Sequence, residues 1–186
     1  MRRSACLAAL AVVVGGVGLS ACIPPNEWCG TISADASQVR LVAGDGYSYG
    51  AGIAAQGAAS WNATAGDQPA IVVNGSTGPT ITWTTFNDGF DGSGGYGSSC
   101  QLSVTFNSAR QSDYSTSGRK QWLGTHELGH ALGLGHDPYL LNDSTSPIDC
   151  AKVATMFWRL GGYIACPAIA SPTGFDMISI NEIYLP

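Results

Sequence analysis

The stretch "HELGHALGLGHD", His126 to Asp137, holds every histidine of the 186-residue chain. His126 and His130 are four residues apart, so on a helix their rings leave one face about a turn apart and reach a single ion. Glu127 stands beside them, where a carboxylate takes a proton from a water on that ion. Gly133 is free to adopt the positive φ that ends the helix abruptly, and His136 three residues later returns to the same point. Three neutral imidazoles around zinc leave a fourth position open, the arrangement of a catalytic rather than a structural site. A buried core helix with a polar seam would need neither the hinge glycine nor the third histidine.

All five fixed positions of H-E-x-x-H-x-x-G-x-x-H are present, and on them the chain resembles the metzincin zinc proteases. That family has a methionine turn beneath its metal. "VATMFW" supplies Met156 for it, although a methionine between apolar neighbours also serves as plain core packing. "HELGHALGLGH" and the tail "PTGFDMISINEIY" resemble the matrixin branch. In that tail Thr173 is placed to cap a helix whose Met177, Ile180, Ile183 and Tyr184 form one apolar face. Asp176 matches the second acid of the matrixin pair, which in the family braces the methionine turn, while Phe175 stands where the first would be. Asp137 and the longer distance to Met156 are more like the adamalysin branch, whose domains are longer and richer in cysteine. Trp158 replaces the tyrosine ligand of astacins and serralysins, so no fifth protein ligand is expected.

The loop "FDGSGG" is similar to the matrixin calcium loop. The resemblance makes Asp88 and Asp91 calcium ligands, whereas the residues alone read as turn formers in a glycine-rich loop. The structural zinc that accompanies this loop in matrixins has no histidine left to hold it, and the family's cysteine-switch propeptide is missing.

The resemblance implies an α/β metzincin fold: a twisted, mostly parallel five-stranded sheet, two backing helices and a C-terminal helix. It implies zinc endoproteolysis with Glu127 as base and then acid, on an extended substrate added to an edge strand. The residues leave open whether that edge is Thr80 to Phe86 or Gln101 to Asn107, and place the specificity wall from Phe157 to about Pro172. A zinc-binding surface lipoprotein without catalysis is the rival reading. Retention of Glu127 favours an enzyme.

Working outward, "SQVRLVAG" (Ser37 to Gly44), "AIVVN" (Ala70 to Asn74), "TITWTTF" (Thr80 to Phe86) and "QLSVTFN" (Gln101 to Asn107) are β-branched or alternating runs bounded by turn residues and predict strands. The alanine-rich segment at about 49 to 63 predicts a helix whose Ile53/Trp61 side packs on the sheet. Asn87 to Ser99 reads as a glycine-rich loop, and the helix carrying the histidines should begin near Ser117 or Gly118.

The N-terminus, two arginines followed by an apolar run from Leu7 to Leu19, has the layout of a signal peptide. "LSAC" resembles a bacterial lipobox, which makes residues 1–21 a lipoprotein signal and Cys22 a lipidated first residue. Residues 22–36 are then an extended lead-in, and 37–186 the catalytic domain. The product would be exported and lipid-anchored to the outer face of a membrane, or secreted if Cys22 carries no lipid. Four cysteines remain, Cys29, Cys100, Cys150 and Cys166. They admit three pairings, of which Cys150 with Cys166 closes the short loop and leaves Cys29 with Cys100. Losing Arg2 and Arg3 from eight basic side chains leaves six against thirteen acids, a formal charge of −7. That balance speaks against nucleic acid as a partner. A monomer is expected.

Overall fold

The computed structural model describes residues 32, 36–87, 91–96, 101–136, 150, 153–156 and 166–184. In chain order these contain β1 (Gln38–Ala43), α1 (Ser48–Asn62), β2 (Ala70–Val73), β3 (Thr80–Phe86), β4 (Gly92–Tyr96), β5 (Leu102–Asn107), α2 (Ser117–Ala131) and α3 (Gly174–Tyr184). Short 3-10 turns occupy Ser108–Arg110 and Pro167–Ala170. The strands make one sheet in the order β2-β1-β3-β5-β4, parallel except for β4, which runs antiparallel to β5. This is the expected mixed α/β architecture of a five-stranded sheet, two helices and a C-terminal helix. Cys22, Cys29, Asp88, Cys100 and Asp137 lie outside the described residues, as does the wall from 157 to 165.

Period-two alternation explains how the sheet is covered. Val39, Leu41, Ile81, Trp83, Leu102, Val104 and Phe106 are buried on one face, while Arg40, Thr82, Thr84, Ser103 and Thr105 lie on the other, less covered face. Burying one large aliphatic side chain contributes about 2 kcal/mol, so this apolar face holds the helices against the sheet. Within the helical layer α1 and α2 approach closely. A Cβ on Gly57 would stand 2.3 Å from the Gly124 carbonyl carbon. Trp61 is fully buried and donates its indole N–H to the Thr125 carbonyl of α2 at 2.8 Å.

Two expectations about the sheet edges are corrected. Thr80–Phe86 and Leu102–Asn107 are both interior strands, and among the described residues the sheet ends at β2 and β4. Strand β4 comes out of the segment read as a glycine-rich loop, with Gly92↔Phe106 through Tyr96↔Leu102 as its register. Glycine has low strand propensity and no side chain to alternate, so "GSGGY" carries no strand signal of its own. Its neighbours make it a strand.

Candidate metal centre

Helix α2 begins where Thr116 accepts the Arg119 N–H on its hydroxyl, one orphan donor capped by a side chain. It carries buried His126 and Glu127 and half-buried His130, and past its last residue, Ala131, the chain turns at Gly133 with φ 103°. There Gly133 N donates to the His130 carbonyl at 3.0 Å and Leu134 N to the Gly129 carbonyl at 2.9 Å, a Schellman closure that turns the chain back. The reversal brings His136 to the other two histidines.

One coordinating atom from each of His126, His130 and His136 lies within 4.8 Å of the others. The Nε2 atoms of His130 and His136 stand 3.1 Å apart, close to the separation of about 3.3 Å that tetrahedral zinc–imidazole bonds of about 2.05 Å require. His126 Nδ1 is 2.9 Å from the Thr155 carbonyl and His130 Nδ1 is 2.8 Å from the Leu134 carbonyl. Each carbonyl accepts an Nδ1–H, which fixes the tautomer and leaves Nε2 as the ligand atom. Burial, reinforced by the charge of neighbouring His130, pushes the His126 pKa well down. Burial likewise lowers His130 to about 4, although its bond to Leu134 opposes the shift. Both rings are therefore neutral, as metal ligands must be. The donor set fits a divalent metal.

Glu127 is buried, and loss of solvation followed by the charge of Asp91 raises its pKa to about 8 in the metal-free chain. A dication on the histidines would draw it back toward the ionised form. Strand β4 lies directly over this residue. A Cβ on Gly92 would be 2.8 Å from Glu127 Oε1, and one on Gly94 would be 1.9 Å from the Glu127 carbonyl oxygen.

Beneath the helix Met156 is fully buried, with its sulfur 2.3 Å from where a Cβ on Gly129 would be. Asp176, near the start of α3, accepts from Thr155 N at 3.0 Å, Met156 N at 3.2 Å and Thr173 N at 2.7 Å, and from the Thr173 hydroxyl at 2.8 Å. Burial raises its pKa against the pull of those bonds. Thr155 thus bonds Asp176 through its N–H and His126 through its carbonyl. Tyr184 at the far end of α3 donates to the Leu132 carbonyl at 3.0 Å, tying the same helix to the end of α2. Cys150 and Cys166 form a disulfide with their Cα atoms 5.4 Å apart, as the short-loop pairing anticipated.

No protein-family model matches the sequence, and no curated protein matches it. Among solved structures the chain is similar to myroilysin, with a TM-score of 0.47, 15% identity, and 81% of this chain and 94% of that one covered. It is also similar to the GM1-bound form of the ECX AB5 holotoxin, with a TM-score of 0.42, 16% identity and 80% of each chain covered. A crystal structure of myroilysin gives a TM-score of 0.40 at 21% identity, over 76% of this chain and 61% of that one. The chemistry rests on the chain's own residues.

Of the two expected calcium ligands Asp88 lies outside the described residues, and Asp91 faces a cation of the chain itself. Arg110 Nε is 2.8 Å from Asp91 Oδ1. Its N–H is aimed at Asp113 Oδ2, 3.0 Å away, so Asp91 is engaged by charge rather than by an aligned hydrogen bond. Several groups at the site had no local signal in the sequence. The carbonyls of Thr155 and Leu134 could be any residue's. Nothing in the local sequence places Trp122, whose ring centroid lies 5.2 Å from that of His126, or Tyr114, stacked on Trp122 at 6.4 Å, beside the histidines.

Proposed function

We propose that the chain is a zinc-dependent endopeptidase of metzincin type, matrixin-like in its motif and tail, acting on extended protein or peptide substrates outside the cytoplasm. The observation that carries this reading is the convergence of three histidines, two with Nδ1 anchored to carbonyls, beside a buried carboxylate on the same helix. Three imidazoles with an open fourth position suit zinc better than harder ions, which prefer oxygen ligands. When bound, zinc would supply Lewis acidity toward water and the scissile carbonyl. Glu127 takes the proton of the attacking water and delivers it to the departing amine, one carboxylate serving as base and then acid. An extended substrate lies along β4, the sheet edge above Glu127, through main-chain hydrogen bonds. The lipobox-like "LSAC" supports export and a lipid anchor on Cys22.

The test is to incubate the mature protein and its Glu127→Ala variant with a mixed peptide library, with and without a zinc chelator. Cuts that vanish on chelation and in the variant, while the variant still binds zinc, are the expected result. Their absence from the wild type would leave a metal-binding lipoprotein without peptidase activity. Anchoring is checked separately by whether Cys22→Ser releases the protein from membranes.

A further inference from the structure

Any side chain on Gly92 would collide with the proposed base and with the sheet at once. Its Cβ would stand 2.8 Å from Glu127 Oε1, 3.0 Å from Glu127 Cδ and 2.8 Å from the Thr105 carbonyl oxygen. The carboxylate therefore rests against bare backbone, and its position depends on where that backbone is held. The hold is local and comes from the preceding residue. The Asp91 carbonyl accepts Asn107 N–H at 2.9 Å, and the Asp91 carboxylate sits 2.8 Å from Arg110 Nε. Arg110 is fixed in turn by Asp113, whose carbonyl accepts from Arg119 Nη1 of α2 at 2.8 Å. A chain of contacts thus runs from the first turn of α2, through Arg110, to the start of β4 and back onto Glu127 in the middle of α2.

We propose that Gly92, clamped through Asp91 by Arg110, is a positioning residue for the Glu127 carboxylate: the side-chain-free strand start forms the surface that sets where the base stands. Arg110 acts through the strand and touches no reacting atom. The proposal rests on the peptidase reading for its kinetic consequence and on the fold alone for the clamp. A displacement of about 1 Å at a reacting group costs up to about a hundredfold in rate. The cost should fall on kcat, because the substrate's main-chain contacts with β4 survive a small shift of Glu127.

The experiment compares full-length wild type, Gly92→Ala, Arg110→Gln and Arg110→Lys by peptide kinetics, bound-zinc content and amide hydrogen exchange over residues 92–96. Expected for Gly92→Ala is a kcat lowered about a hundredfold, with KM within about twofold and zinc retained. Arg110→Gln should lower kcat less and speed exchange in β4, and Arg110→Lys, which keeps the charge, should restore most of both. Folded, zinc-loaded Gly92→Ala and Arg110→Gln proteins with kcat near wild type would overturn the proposal, as would equal losses in Arg110→Lys and Arg110→Gln. If Gly92→Ala does not fold, the Arg110 pair decides. If the wild type makes no Glu127-dependent cuts, the peptidase reading has failed, and unchanged exchange in Arg110→Gln would overturn the clamp as well.

Discussion

The two edges of the sheet are treated in opposite ways. At β2, Ala70 N and Asn74 N donate to Ser37 and Leu41 of the β1 side, so the intervening Ile71 points its backbone groups outward. Asn62, the last residue of α1, meets both: its Oδ1 accepts from Ile71 N and its Nδ2 donates to the Ile71 carbonyl, each at 2.8 Å. One carboxamide thus stands in for the next strand and closes an edge where Val72 and Val73 are 36% and 42% exposed. Such plugging is how a sheet keeps an edge from recruiting another chain. At β4 no such plug is found among the described residues, and glycines bring the strand down onto Glu127 and His130. One edge is thus capped by a side chain from a helix end, and the other is shaped by side-chain-free backbone lying on the helix that bears the histidines.

The largest effect is expected at Gly94, where a side chain would meet the Glu127 carbonyl oxygen at 1.9 Å. Gly94→Val should cost about 3 kcal/mol of stability and abolish cleavage, read by thermal melts and peptide assay. Acidification comes next, and its sign follows from His130, held at about 4 against an ordinary 6.5. Between those values the unfolded chain takes up a proton that the folded site refuses. The stability is therefore complete above 6.5 and is lost as pH falls toward 4. Thermal melts of the metal-free protein across this window check it; zinc, which also excludes the proton from the imidazoles, should move the loss to lower pH, whereas the Asn62–Ile71 pair has no titrating group and should add no pH dependence. At the other edge, Asn62→Leu should cost about 1 kcal/mol and promote concentration-dependent self-association, seen in sedimentation, with kcat unchanged. The smallest effect is expected for Ser93→Ala, whose hydroxyl meets Thr105 Oγ1 at 2.6 Å on the exposed face. A change in stability below about 0.5 kcal/mol would show that β4 works through its backbone.

Much of the site was legible because its ligands are local. His126, Glu127, His130, the Gly133 hinge and His136 fall within eleven residues, and helical periodicity with one positive-φ residue is enough to converge them. The interior strands were legible for the same reason: alternation in Leu102, Val104 and Phe106 reports a buried face without reference to anything distant. Strand β4 was not, since glycine leaves no pattern, and with it both candidate edges were misplaced. The matrixin-like tail marked Asp176 for the methionine turn. That its two oxygens meet the N–H groups of both Thr155 and Met156 is visible only in the fold.

The convergence of the three histidines was legible in the chain alone, because their spacing along one helix and one turn is a local property. Which edge of the sheet stands over those histidines, and what holds it there, was set by packing between distant segments. Those decisions belong to pairs such as Asn62 with Ile71 and Gly92 with Glu127, which join different elements of the fold. Backbone hydrogen bonds and close glycine contacts across elements depend on packing, and nothing in the identity of either partner announces them in advance.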